Sequence, residues 1–223
     1  MTITHAENNL IIEINENMVP VLVLEEPDVF ENFTLSFYRQ CCGDDSGIVL
    51  SDNDVILNFS KKAMIISDYY SLDLNGRKVQ NRLYQCMKDI AMDLGKEKDD
   101  FTRMGIEIID RILSSARFDH AEYNLEIDWN DFFKLFQVRM EEDYVTLPEK
   151  IIAFIRICAQ LLDLELLAFV NLKSYVSVES LLEIYRMAAY LKINLLLIEP
   201  VERAALKPEK YYIIDTDKCL IIK

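Results

Sequence analysis

The chain has 223 residues, 51% of them hydrophobic, and carries 24 Lys and Arg against 38 Asp and Glu, for a net charge of −14. That length and apolar fraction allow one large domain or a core domain with an elaboration, and only five Gly and five Pro exclude a disordered or low-complexity chain. The acidic balance argues against nucleic acid or an anionic membrane as partner, because like charge repels at long range; a DNA-binding surface would need strong charge segregation.

The amino-terminal part alternates short strands and helices. Leu10 to Ile14 and Val19 to Leu24 read as strands with a turn at Asn15 to Asn17, and Pro27 opens a helix lined by Phe30, Phe33, Thr34 and Phe37. After a loop from Cys41 to Gly47, strands are expected at Ile48–Leu50, Val55–Phe59 and Ala63–Ser67. Asn75 and Gly76 then turn into a helix with Val79, Leu83, Cys86, Met87, Ile90 and Leu94 inward.

From Gly95 to Lys150 the chain is charged and helical. Phe101, Met104, Ile108, Ile112 and Ala116 mark the apolar face of one long helix, and Trp129 to Phe136 a short one. Thr146, Pro148 and Glu149 spell a capping box for a helix bearing Ile151, Phe154, Ile155, Cys158 and Leu162.

Leu164 to Val170 and Asn194 to Ile198 are apolar enough to be strands buried on both faces. The helix between them, capped by Ser177, makes a parallel crossover. In such sheets ligands meet the carboxyl ends of the strands, here Asn171 to Tyr175 and Glu199 onward. Tyr211 to Ile222 closes the chain as two strands turning at Thr216 and Asp217. The expected architecture is an α/β head from residues 1–84 and 150–223, with a helical leg, residues 85–149, inserted in it.

Nucleotide chemistry has no support. Neither G-x-x-x-x-G-K-[ST] nor G-x-G-x-x-G occurs, and the loop after the first strong strand, Glu25-Glu26-Pro27-Asp28, would repel phosphates. His5 and His120 lack a nucleophile motif nearby. The five cysteines (Cys41, Cys42, Cys86, Cys158 and Cys219) are odd in number and form no C-x-x-C, as in reduced cytoplasmic proteins. The chain starts without a signal-peptide pattern and has no membrane-length apolar run. A receiver-like set of Glu25, Glu26, Asp68 and Lys173 at strand ends keeps open a phosphoryl- or nucleotide-responsive switch, although the chain between Asp68 and Lys173 is long for it; a scaffold that binds only protein partners is the other alternative.

Between Asp119 and Asp131, oxygen-bearing Asn124, Glu126 and Asp128 alternate with Leu125, Ile127 and Trp129, and Glu122 and Asp131 stand close in sequence. Such hard oxygen ligands suit calcium, whose shell is flexible. The same residues also suit a solvated acidic edge with Asp128 or Asn130 capping the next helix.

Taken in order, Val21-Leu-Val-Leu-Glu-Glu, Ile66-Ser-Asp, Leu72-Asp-Leu-Asn, Leu166-Leu-Ala-Phe-Val-Asn, Leu195-Leu-Leu-Ile-Glu-Pro and Tyr211-Tyr-Ile-Ile resemble the small accessory adaptation proteins of type II-A CRISPR systems. The resemblance implies a non-enzymatic protein with a P-loop-NTPase-like, Rossmann-like α/β head lacking Walker motifs, and a helical leg. It implies a homotetrameric ring that threads onto double-stranded DNA ends without sequence preference, working with the integrase subunits and the RNA-guided effector nuclease in the cytoplasm. It also implies structural calcium, which by position falls on the Asn124–Asp128 stretch, where Glu126 and Asp128 match acidic positions and Asn124 stands where relatives carry Asp; Glu122 and Asp131 are near enough in sequence to join them. The DNA-facing cations, taken by sequence position, are Arg77, Lys78, Arg82, Lys134, Arg156 and Lys173.

Overall fold

The computed structural model describes residues 1–7, 9–15, 17–115 and 121–223. Ala116, Asp119, His120 and the middle of the Asn15–Asn17 turn therefore lie outside the described residues. The chain is a mixed α/β protein that divides into two compact units, Met1–Leu74 with Asp143–Lys223, and Asn75–Glu142.

The first unit holds both sheets. Strands β1 (Thr2–His5), β2 (Leu10–Glu13), β4 (Ile48–Asp52) and β5 (Val55–Ile56) make an antiparallel sheet in the order β2-β1-β4-β5. The larger sheet is β10-β9-β3-β8-β7-β6, built from β3 (Val19–Leu24), β6 (Ala63–Ile66), β7 (Leu166–Val170), β8 (Asn194–Glu199), β9 (Glu209–Ile214) and β10 (Leu220–Ile222). It is parallel throughout except for β10, which runs antiparallel to β9. The expected hairpin at the carboxyl end is thus the only antiparallel pair of this sheet.

Period-two alternation gives the large sheet two apolar faces. Leu22, Leu24, Leu166, Ala168, Leu196, Ile198, Tyr212 and Ile214 join one core with Phe33 and Phe37 of α1 (Pro27–Cys42), Phe59 of the one-turn α2 (Phe59–Lys62), and Ile3, Leu10, Ile12, Ile48 and Leu50 of the small sheet. The amino-terminal strand Thr2–His5 was not expected from the sequence, yet it is the centre of that small sheet. His5 is buried edge-on against Phe33, and burial holds its imidazole below the ordinary range. It is a core residue.

The alternate residues of β3, β7, β8 and β9 face the other way. There α6 (Leu147–Gln160) and α7 (Val178–Tyr190) pack on each other, and α7 lies against β8. Both helices start as their sequences dictate: Thr146 and Glu149 complete the capping box, and the Ser177 hydroxyl accepts the Ser180 N–H.

The second unit contains α3 (Arg77–Ile90), α4 (Gly95–Ser115) and α5 (Trp129–Leu135). Helix α3 is continuous, so the division falls at its start instead of at residue 84. At the other end it precedes the capped start of α6 instead of falling at residue 149. Asn75 ties the two ends of this unit together. Its Nδ2 donates to the Met140 carbonyl and to Glu142 Oε1, both at 3.0 Å, and its Oδ1 accepts the Met140 N–H at 2.7 Å.

Periodicity misjudged the burial of two helices. Met104, Ile108 and Ile112 are exposed on α4, whose inward side is Thr102, Ile106 and Leu113, with Phe101 partly covered by the rings of Phe132 and Phe136; Ile90 of α3 is 80% exposed. The apolar surface of α4 is wider than its own unit covers.

Candidate nucleic-acid interface

Helix α3 concentrates positive charge in an acidic chain. Arg77, Lys78, Arg82 and Lys88 are all exposed on it together with Asn81, and Asp89 is its one acid. Arg77 and Lys78 occupy the first turn, behind Gly76, where the helix already carries its positive end. Cations there cost about 0.3–1 kcal/mol each when exposed. All the other described helices longer than one turn have an acid in that turn: Asp28, Glu97, Asp131, Glu149 and Glu179. A pair of cations held at the wrong end of a helix is an arrangement that an incoming anion would relieve.

Helix α5 packs on α3 through Tyr84 and Phe133, whose ring centroids lie 5.5 Å apart, and the Tyr84 hydroxyl donates to the Val138 carbonyl. Lys134 is exposed on α5 but binds Asp131 at 3.1 Å, which raises its pKa. The structure thus brings Arg77, Lys78 and Arg82 together and adds Lys88, which sequence reasoning missed. The signal was available, since Lys88 falls close to the angle of Arg77 on a 3.6-residue wheel. Arg156 is exposed on α6, in the other unit.

Lys173 requires a correction. It is buried, and its ammonium is fully engaged by Glu209 Oε1 at 2.7 Å and the Tyr211 hydroxyl at 2.6 Å. The same Glu209 accepts from Tyr185 at 2.6 Å and from the Leu206 N–H at 2.8 Å. Burial pushes both tyrosine hydroxyls up, with Glu209 adding to it. An ammonium committed in this way has no surface to offer a phosphate. The receiver-like set fails on the same geometry. Glu25 and Glu26 follow β3 and Asp68 follows β6, with β8 and β7 between them, about 14 Å at ordinary strand spacing.

The acidic segment does not gather as a calcium shell. Among the described residues no three His, Cys, Asp or Glu side chains are grouped to hold a metal. Asp128 is the N-cap of α5, its carboxylate accepting the Asp131 N–H at 2.7 Å; that bond, then Lys134 and Lys88, hold it below the usual carboxylate range. Asp131 is paired with Lys134, while Glu122, Glu126 and Asn124 are exposed. Residues 124 and 126 are not in a strand, so the expected one-sided extended edge does not form. Lysine supplies the positive charge next to Asp128 and Asp131.

No described helix is long and apolar enough to cross a membrane. None of the five cysteines is in a disulfide, and Cys158 is buried.

Comparison with known proteins gives two findings. Residues 40–218, well over half of the chain, match the family model described as CRISPR-associated protein (Cas_Csn2). The crystal structure of Stu0660 of Streptococcus thermophilus superposes with a TM-score of 0.60 at 14% identity, covering 96% of this chain and 75% of that one. At that identity the likeness shows the fold alone.

Proposed function

The chain belongs to the Csn2 family of CRISPR-associated proteins and has a CRISPR-adaptation-associated function; from that premise we propose that it acts without catalysis, as a homotetrameric ring that closes on double-stranded DNA ends regardless of sequence. The observation that carries the DNA reading is the exposed basic face of α3 in a chain of net charge −14, with Arg77 and Lys78 at the dipole's unfavourable end. The uncovered apolar stripe of α4 supports self-association. Lys134 and Arg156 stand as further DNA contacts in this reading, and Lys173 does not. The integrase subunits and the RNA-guided nuclease are its partners, in the cytoplasm.

Calcium belongs to the proposal as a property of the assembled form only, because the described residues of the isolated chain do not converge acidic ligands. Native mass spectra with calcium and with chelator test both the tetramer and its metal content.

For DNA, linear and covalently closed duplexes are compared by gel shift. The expected result is binding to linear duplex alone, independent of sequence; equal binding to both topologies sinks threading. Arg77→Ala with Lys78→Ala should weaken binding uniformly across sequences and flatten the salt dependence by about one unit of log–log slope for each phosphate no longer neutralised. An unchanged slope removes α3 from the interface.

A further inference from the structure

The carboxyl edge of the large sheet carries two exposed tyrosines between two cations, and none of the four has a part in duplex binding as proposed. Tyr70 follows β6, Tyr175 follows the 3-10 turn Leu172–Ser174 after β7, Arg203 lies beyond β8, and Lys150 stands near the start of α6. Their contacts run in a line. Lys150 Nζ donates to the Tyr70 carbonyl at 2.8 Å, the Tyr70 ring meets Tyr175 edge-on at 6.1 Å, and Arg203 donates to the hydroxyl of Ser174, next to Tyr175, at 2.7 Å.

The strip has a firm floor. Tyr175 leans on Tyr69, centroids 4.8 Å apart, and Tyr69 is buried, stacked on Phe169 with its hydroxyl donating to the Val170 carbonyl at 2.7 Å. Asn171, at φ 57°, makes the left-handed turn that starts this loop. Tyr70 itself is 74% exposed. Of the neighbouring carboxylates, Glu199 is buried and Glu202 binds Lys223; Asp68 and Glu149 stay exposed and ionised, accepting the N–H groups of Tyr70 and Ser71 and of Val145 and Thr146, and Asp68 lies near enough to Lys150 to feel its charge, so Arg203 is the less offset of the two cations.

We propose that this strip binds an unpaired stretch of nucleic acid, Tyr70 and Tyr175 stacking one or two bases while Lys150 and Arg203 hold the flanking phosphates. Aromatic platforms between cations take single strands because every free base has a π-face to offer, whereas bases within a duplex keep their faces stacked on one another. The inference rests on the DNA reading and deepens it, since a frayed or overhanging DNA end is the natural source of such a strand.

The full-length protein is titrated by fluorescence anisotropy with blunt duplex, the same duplex bearing a single-stranded overhang, and oligo(dT), with 2-aminopurine in the overhang to report stacking. We expect the overhang to tighten binding roughly fivefold or more, with 2-aminopurine quenched. Tyr70→Ala should erase both effects while leaving blunt-duplex affinity and the thermal melt unchanged, and Tyr70→Phe should retain them. Loss of blunt-duplex binding alone would overturn the duplex-end function, while Tyr70-dependent oligo(dT) binding would still uphold the single-strand site. Equal affinity for blunt and overhanging duplex, or oligo(dT) binding indifferent to Tyr70→Ala, overturns the proposal and leaves the strip to a protein contact.

Discussion

Glu199 ends β8 inside the helical face of the sheet, one carboxylate oxygen accepting the Lys173 N–H at 3.0 Å and the other meeting no partner. Burial raises its pKa from 4.5 to about 7, against the opposing pull of that N–H, Lys173 and Arg203. The Lys173 ammonium offsets this only in part, because Glu209 and Tyr211 hold it. A carboxyl with a folded value above its unfolded one destabilises the fold when ionised, so stability from this group is greatest at low pH and is lost as pH rises through about 7. Glu199→Gln removes that charge. It should stabilise the protein at pH 8 by up to about 3 kcal/mol and flatten the fall in melting temperature between about pH 5 and about 7; identical pH profiles for both proteins would sink this account. None of it was legible in the sequence, where Lys173 read as a surface cation. Its partner Glu209 lies on a strand far along the chain, and only the closed sheet brings them together.

Helix boundaries were the most legible elements because capping is local. Ser177, Asp128 and the Thr146–Glu149 box each sit within three residues of the amide they satisfy; the sequence alone identifies Ser177 and the box, and narrows the third cap to Asp128 or Asn130. Burial of α4 was not legible, since an apolar stripe is written the same way whether its own unit or another chain covers it. Met104 and Ile108 are 64% and 58% exposed, so changing them disturbs little inside the monomer. Met104→Glu with Ile108→Glu should therefore leave the circular dichroism melt unaltered while reducing the mass seen by light scattering. A tetramer that persists in this variant would exclude α4 as a contact between copies. The acidic segment was half legible: a cap at Asp128 or Asn130 followed from spacing, but the closeness of Asp128 to Lys88 and Lys134 depends on how α3 and α5 pack.

At the scale of the whole molecule, the α/β class and the parallel crossover were readable from two apolar runs with a capped helix between them. Of the small antiparallel sheet, the strands near Leu10, Ile48 and Val55 were readable but Thr2–His5 and the pairing of the four were not, because strands of two to five residues carry too short a pattern. The net charge of −14 now has two consequences of opposite sign. Salt screens self-repulsion and should raise the melting temperature, and it should also weaken DNA binding steeply. Melts and titrations across the same salt series check both, and DNA affinity that rises with salt would contradict a phosphate-based interface. The Asn75 clasp has a further consequence for descent. Chain enters and leaves the Asn75–Glu142 unit at one tied point, and closure of a loop depends on its length only logarithmically. Changes in the length of this segment therefore leave the folding of the sheets nearly untouched, so relatives should differ in length between residues 75 and 142 before they do so in the sheets, while keeping the cations of α3 on which the proposed function depends.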